Sequence, residues 1–447
     1  MKYGQIIGLA SAPIAPGEHV HSHNLEFRQL ERDYDFGATV MPTDYVAEPA
    51  QFLGYRRADG RVGTRNYIAI VPSVNCSATV SRLIAARCAD LAEGSLDGVI
   101  VLNHTGGCGC AGPGNYGFEL LRRTLGGYAA HPNVGGVLVI GLGCEVNQVD
   151  PLVAGWSLPA DTALHTMTIQ DTGGTRKTVA EGEEAIRSMA PRLQSLRREP
   201  SPASALVLGM ECGGSDGYSG ITANPALGAA ADLLIRHGGA AVFGETPEIY
   251  GAEQLLTRRA VSKEVGEKLI ERIRWWERHV ERDGSSIDNN PSPGNKAGGL
   301  TTILEKSLGA VAKGGSTNLV DVVEYAEPVT AKGLVFMDTP GYDPVNATGL
   351  VAGGANVLCF TTGRGSVFGC KPTPSLKLAT SSEVHAHMTE DMDVNCGLIA
   401  DGERSVDEMG REIFETVLAT ASGKATKSEE LGFGDEEFAP WLVSTTL

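Results

Sequence analysis

Four times in this chain a short apolar run gives way to a polar, glycine-bearing turn that carries a cysteine. The runs are Tyr67-Ile-Ala-Ile-Val, Val99-Ile-Val-Leu, Val137-Leu-Val-Ile and Ala205-Leu-Val-Leu, and the turns after them hold Cys76, Cys108, Cys144 and Cys212. Unbroken apolar strands alternating with helical patterns specify a parallel sheet covered on both faces. The expected fold class is therefore α/β, with two lobes built on mostly parallel sheets. Turns that leave the carboxyl ends of such strands gather along one edge, where α/β sites form. The four thiols are accordingly expected to converge on one pocket, where thiolates would select iron or zinc. No CxxC spacing occurs, so a structural zinc ribbon is not expected.

The fourth turn is the richest. Glu211, Cys212, Ser215, Asp216, Tyr218, Ser219 and Thr222 precede a helix in which Asn224 reads as the N-cap and Pro225 as the first helical residue. Gly238 and Gly239 should end that helix. Glycines let backbone amides approach a ligand, and a helix N-terminus favours an anion. Asn75 stands beside Cys76, Glu145 beside Cys144, and Glu245 and Glu248 follow another strand, Ala241-Val-Phe. Lys296 sits in a Pro/Gly-framed loop and Arg364 in Thr361-Thr-Gly-Arg; either cation could grip a carboxylate. Near the start, His19, His21 and His23 alternate, which in an extended strand aims three imidazoles one way. That strand is expected to fold over the mouth of the cysteine-bearing turns.

Charge narrows the partners. A formal net charge of −17 argues against nucleic acid and anionic membranes, and it means that an anionic substrate needs a locally basic pocket. Nine dispersed cysteines make a poor disulfide framework and suit a reducing, cytoplasmic location. No apolar run reaches the ~18 residues of a membrane span. We read residues 1–27 as a small β segment, 28–52 as a linker, 53–200 as the first lobe and 201–447 as the second, joined through a Pro/Ser/Arg-rich stretch at 191–205. Val80, Leu83, Ile84, Cys88 and Leu91 read as one apolar helix face, and Cys359 and Cys396 as packing residues. A charged helix over 253–282 carries Trp275 and Trp276 for packing, and Ser405 with Glu408 reads as a capping box.

The stretches KYGQIIG, GEHVHSHN, YRRADGRVGTRN, NCSATV, GLGCEVNQ, ECGGSDGYSGITANPALG, ETPEIYGAEQLL, NPSPGNKAGGLTTILEKSLG and FTTGRGSVFG resemble the altronate and galactarate dehydratases. They span residues 2 to about 380. The resemblance implies a hydro-lyase that dehydrates a sugar acid to a 2-keto-3-deoxy acid; close relatives act on sulfolactate with loss of sulfite. It also implies that residues 1–27 are part of an SAF-type β domain, with the remainder missing or supplied by a small partner subunit. A homo-oligomer is expected. The other alternative is a non-catalytic sugar-acid-binding subunit.

Such a dehydration removes a weakly acidic proton alpha to a carboxylate, so concentrated positive charge must stabilise the enediolate. By resemblance the cofactor is iron(II), with an iron–sulfur cluster on the four cysteines as the alternative. His19, His21, Cys76, Cys108, Cys144 and Cys212 are the candidate metal ligands. His21, His23, Glu145, Glu211, Asp216 and Glu245 are the acid/base candidates, and Asn75, Ser215, Lys296 and Arg364 the substrate-binding candidates.

Overall fold

The structure, a computed structural model, describes residues 1–28, 33–282 and 284–443; residues 29–32, inside the stretch read as a linker, lie outside the described residues. Two parallel sheets organise it. In the first lobe the strand order is Gly98–Val101, Tyr67–Pro72, Val134–Gly141, Ala163–Thr168. The first strand in sequence is flanked by the second and third, so the order reverses at its carboxyl end. Ile68, Ile70, Leu138 and Ile140 point to helices Ala78–Arg87 and Thr175–Gln194. Ala69, Val71, Val137 and Val139 point the other way, to helix Tyr116–Ala129. Burial on both faces is why these strands read as unbroken apolar runs.

The second lobe is a seven-stranded parallel sheet in the order Leu319–Val323, Gly333–Met337, Ala240–Phe243, Val207–Cys212, Val357–Thr362, Ser375–Ala379, Val394–Asn395. Helices Ala223–Arg236 and Val406–Ala421 cover one face. Helix Asp343–Ala352 covers the other and packs against Tyr116–Ala129 of the first lobe. The approach is close: a Cβ on Gly127 would lie 2.3 Å from the Ala352 carbonyl oxygen. The amino ends of the two sheets are tied as well, by Thr64 Oγ1 donating to Asn356 O (2.6 Å) and Asn133 Nδ2 to Pro372 O (2.9 Å). Here too the order reverses, between Val207–Cys212 and Val357–Thr362.

Several local expectations change. Residues 199–202 form a strand pairing antiparallel with Gln51–Arg56, so parts of both presumed links belong to a small sheet between the lobes. Helix 223–236 begins at Ala223, because the Asn224 side chain is engaged elsewhere, accepting from Thr361 Oγ1 (2.6 Å) and donating to Gly309 O (2.9 Å). Leu83 is exposed, and the charged stretch at 253–282 divides into Gln254–Thr257 and Lys263–Arg282. The histidine stretch is a turn, not a strand, since the amides of Asn24 and Leu25 both donate to His21 O. It still gathers imidazoles, with the rings of His19 and His21 stacked at 5.4 Å. Its seat is the second lobe, where His21 Nε2 meets Lys296 O at 3.1 Å. The antiparallel pair Leu9–Ala10 with Leu25–Glu26 and the 2.6 Å ion pair Lys2–Glu305 hold this segment down. Among the described residues no helix is long and apolar enough to cross a membrane.

One charged clasp locks the lobes. Arg65, almost fully buried, forks onto both oxygens of Glu429 (2.6 and 2.7 Å) and also donates to Thr420 O and Lys424 O. Breaking such a pair leaves an uncompensated buried charge and costs about 3 kcal/mol or more. Glu429→Ala should lower stability by that amount in urea unfolding, and Arg65→Met with Glu429→Leu should recover much of it.

Candidate active site

The carboxyl edge of the second sheet collects an unusual set of buried charges. Glu211 and Cys212 close the strand Val207–Cys212. Glu245 follows Ala240–Phe243 in a left-handed backbone conformation (φ 67°), held by its amide donating to Thr339 Oγ1 (2.6 Å). Asp343 opens the helix Asp343–Ala352, and Lys306 and Lys313 project from helix Ile303–Val311 and the turn after it. Four carboxyls (Glu211, Glu245, Glu248, Asp343) thus share this edge with two ammonium groups. Lys306 Nζ donates to Glu248 Oε1 (2.7 Å), and Lys313 Nζ to Cys212 Sγ (2.8 Å) and Glu245 Oε2 (3.3 Å).

Crowding governs titration here. Burial, reinforced by Glu245 and Asp343, pushes Glu211 well above the carboxylate range. Burial and the charge of Glu248 raise Glu245 to about 8, against the pull of Lys313; the same two causes raise Asp343 to about 6. Burial pushes the Cys212 thiol up to about 12, so it stays protonated and donates to Glu245. Burial alone would lower Lys313, but Cys212 and Glu245 outweigh it and keep the ammonium charged.

Two negative charges in surplus must be met by protons or by a divalent cation. The donor set fits a cation: oxygens of Glu211, Glu245 and Asp343 lie within 4.8 Å of one another, as do ligand atoms of Cys212, Glu245 and Glu248. Oε1 of Glu245 and Oε2 of Glu248 are buried without a hydrogen-bond partner.

The glycine-rich turn separates this cluster from a cavity of about 710 Å³ lined by Asp216, Tyr218, Gly298, Arg364, Glu383, His387 and Asp401, among others. A Cβ on Gly213 would lie 2.2 Å from Asp343 Oδ2, and one on Gly214 would lie 3.3 Å from Arg364 Cβ, so the turn has the acids on one side and the arginine on the other. The Arg364 guanidinium has no hydrogen-bond or ion-pair partner among the described residues. Asp216 is committed to the turn itself, accepting from Tyr218 N, Ser219 N, Ser219 Oγ and Thr380 Oγ1. Ser215 is buried and its carbonyl accepts from Asn295 Nδ2 (2.8 Å). Lys296 stands in the short helix Pro293–Ala297; its neighbours Ala297 and Gly298 line the cavity, and its side chain does not.

The cysteines divide between the lobes. Cys76 and Cys108 meet at the carboxyl edge of the first sheet with sulfurs 3.4 Å apart, and Cys144 occupies the adjoining turn, which Val146 N joins to Cys108 O (3.0 Å). Asn75 fastens the same edge, its Nδ2 donating to His104 O (3.0 Å). Glu145 is turned inward, accepting from Ser73 Oγ (2.5 Å), Leu142 N and Gly143 N. Cys212, in contrast, is buried in the other sheet beside Lys313, so the four thiols do not share one pocket. The physical reason is that four similar strand–turn units belong to two separate sheets. His19 and His23 are exposed on their turn.

Residues 203–446 match the family described as D-galactarate/altronate dehydratase, C-terminal; residues 54–194 match D-galactarate dehydratase/altronate hydrolase, second domain. Residues 1–28 match the altronate/galactarate dehydratase SAF domain. The chain belongs to the D-galactarate/altronate dehydratase family. It is 38% identical to the altronate dehydratase of Escherichia coli over 100% of this chain and 89% of that one. With the galactarate dehydratase (L-threo-forming) of the same organism it shares 38% identity, covering 98% and 86%. The (2R)-sulfolactate sulfo-lyase subunit beta of Chromohalobacter salexigens is 33% identical over 85% of this chain and 95% of that one. The altronate and galactarate dehydratases are hydro-lyases, and the boundary between the first two family matches falls at the small sheet that joins the lobes.

Sequence reading did not find Lys306, Lys313 or Asp343. Two lysines seven residues apart in the largely apolar stretch 303–314 are the available signal for the first two. A carboxyl whose pKa rises on folding stabilises the fold fully below its unfolded value and loses that contribution as pH rises through the folded value. In chelator-treated protein, stability should therefore fall as pH climbs through the raised values of Asp343 (about 6) and Glu245 (about 8). Denaturant midpoints across that window check it, and Glu245→Gln should flatten the upper part.

Proposed function

We propose that this chain dehydrates a sugar acid at the second-lobe edge, giving a 2-keto-3-deoxy acid. The observation that carries the reading is the unpartnered Arg364 guanidinium, set across the Gly213–Gly214 turn from the crowded carboxyls. The altronate and galactarate dehydratases named above support it. Arg364 forks onto the substrate carboxylate, which an acidic protein could not otherwise hold. His387, in the same cavity wall, is the imidazole placed to take the alpha proton. Asp216 fixes the turn, and His21 clips the 293–297 helix whose end forms part of the wall. Glu211, Glu245 and Asp343 would hold a divalent cation, iron(II) by family resemblance, with Cys212 and Glu248 beside them. When bound, the cation would supply positive charge across the Gly213–Gly214 turn from the substrate carboxylate.

The cavity also favours one kind of acid. Besides Asp216 its wall carries Glu383 and Asp401, so it offers one guanidinium and repels a second carboxylate. The substrate is therefore an aldonate in preference to an aldarate.

Incubating the full chain with ferrous iron and D-altronate, galactarate or sulfolactate, and measuring 2-keto-3-deoxy acid and sulfite, tests the reading. Altronate should give the higher kcat/KM; sulfite as the main product would reassign the enzyme. Arg364→Lys keeps the charge but loses the planar fork, and should lower kcat/KM about 10- to 100-fold. Asp401→Asn should narrow the altronate-to-galactarate ratio, by about 10-fold.

A further inference from the structure

The first-lobe edge takes no part in that reaction scheme, yet it holds the chain's most accessible thiols. Cys108, Cys76 and Cys144 follow three strands that lie side by side, Gly98–Val101, Tyr67–Pro72 and Val134–Gly141, at the point where the strand order reverses. The turns are built to present them. Asn75 N donates to Gly106 O (2.9 Å) and Asn75 Nδ2 to His104 O, joining the first two turns; Val146 N donates to Cys108 O, joining the second and third. Glu145, buried and saturated by Ser73 Oγ, Leu142 N and Gly143 N, locks the third turn so that Cys144 faces outward. Gln170 Nε2 donates to Cys144 Sγ at 3.6 Å, a contact that favours a ligating thiolate.

We propose that these three cysteines bind a [4Fe–4S] cluster through three of its irons, leaving the fourth open to solvent. The chemistry selects this over simpler occupants. Among the described residues no three His, Cys, Asp or Glu ligand atoms at this edge lie within 4.8 Å of one another, so the tight tetrahedral set of a single zinc or iron ion is not assembled. A cluster sets its ligating thiolates farther apart than a single ion does, and can take them from separate loops. Cys76 and Cys108, 3.4 Å apart, are free thiols and not a disulfide. Exposure of Cys76 and Cys144 gives the cluster an open face. Assembly consumes two ferrous and two ferric ions with four sulfides, and three thiol protons leave as the iron–thiolate bonds form.

This site is separate from the carboxylate edge, and its test does not depend on turnover. The full chain is reconstituted anaerobically with ferric chloride, sodium sulfide and dithiothreitol, desalted, and assayed for acid-labile sulfide and for absorbance near ~400 nm. The wild type should retain about four sulfides per chain. Cys76→Ser, Cys108→Ser and Cys144→Ser should each lose most of that sulfide and the absorbance, whereas Glu245→Gln should keep both. Circular dichroism confirms that the compared variants are folded, and alkylation of the remaining thiols with iodoacetamide should be blocked only in cluster-bearing protein. Iron without sulfide, or sulfide that survives all three cysteine replacements, overturns the proposal.

Discussion

Four carboxyls packed with two lysines at the carboxyl edge of a seven-stranded sheet form the constraint around which the second lobe is arranged. Such a surplus of buried negative charge is costly in a low-dielectric interior. It persists because the strands deliver Glu211 and Cys212 from one turn and Glu245 from the next, while helix Ile303–Val311 and the turn after it carry Lys306 and Lys313 in behind them. The left-handed backbone at Glu245 belongs to the same demand. Conformations of that kind persist only where the surroundings over-determine them.

The rest of the fold keeps this edge rigid and open to one side. Two helices, one from each lobe, fill the space between the sheets, and Gly127 permits their close approach. Ties at the amino ends, Thr64 to Asn356 and Asn133 to Pro372, fasten the sheets away from their chemical edges. The carboxyl edges are thereby left to the loops, which is where glycine, cysteine and charge concentrate. The N-terminal segment reaches the second lobe through His21, which meets Lys296 O in helix Pro293–Ala297, and through Lys2, which pairs with Glu305 of helix Ile303–Val311.

Much of this was legible in the sequence because apolar runs report burial directly. Tyr67–Pro72, Val134–Gly141 and the capped helix Val406–Ala421 stand where the pattern places them. What local pattern cannot report is which sheet a strand joins. Four equivalent strand–cysteine turns therefore suggested one pocket, and the structure separates Cys212 from the other three. Asp343, Lys306 and Lys313 were hidden for a related reason, since they stand 132, 95 and 102 residues beyond Glu211 and only the tertiary fold brings them to it. The alternating histidines misled through periodicity: alternation aims side chains one way only in an extended chain, and here His21 accepts turn hydrogen bonds instead.

The central claim is that the buried carboxyls of the second lobe hold the cation that works with Arg364. Titration of chelator-treated protein with manganese(II), followed by the loss of the free-ion paramagnetic resonance signal, measures that directly. The account predicts saturable binding near one ion per chain in the wild type and its loss in Glu245→Gln and in Asp343→Asn, with binding unchanged in Cys144→Ser. Binding that survives both carboxyl replacements would contradict it.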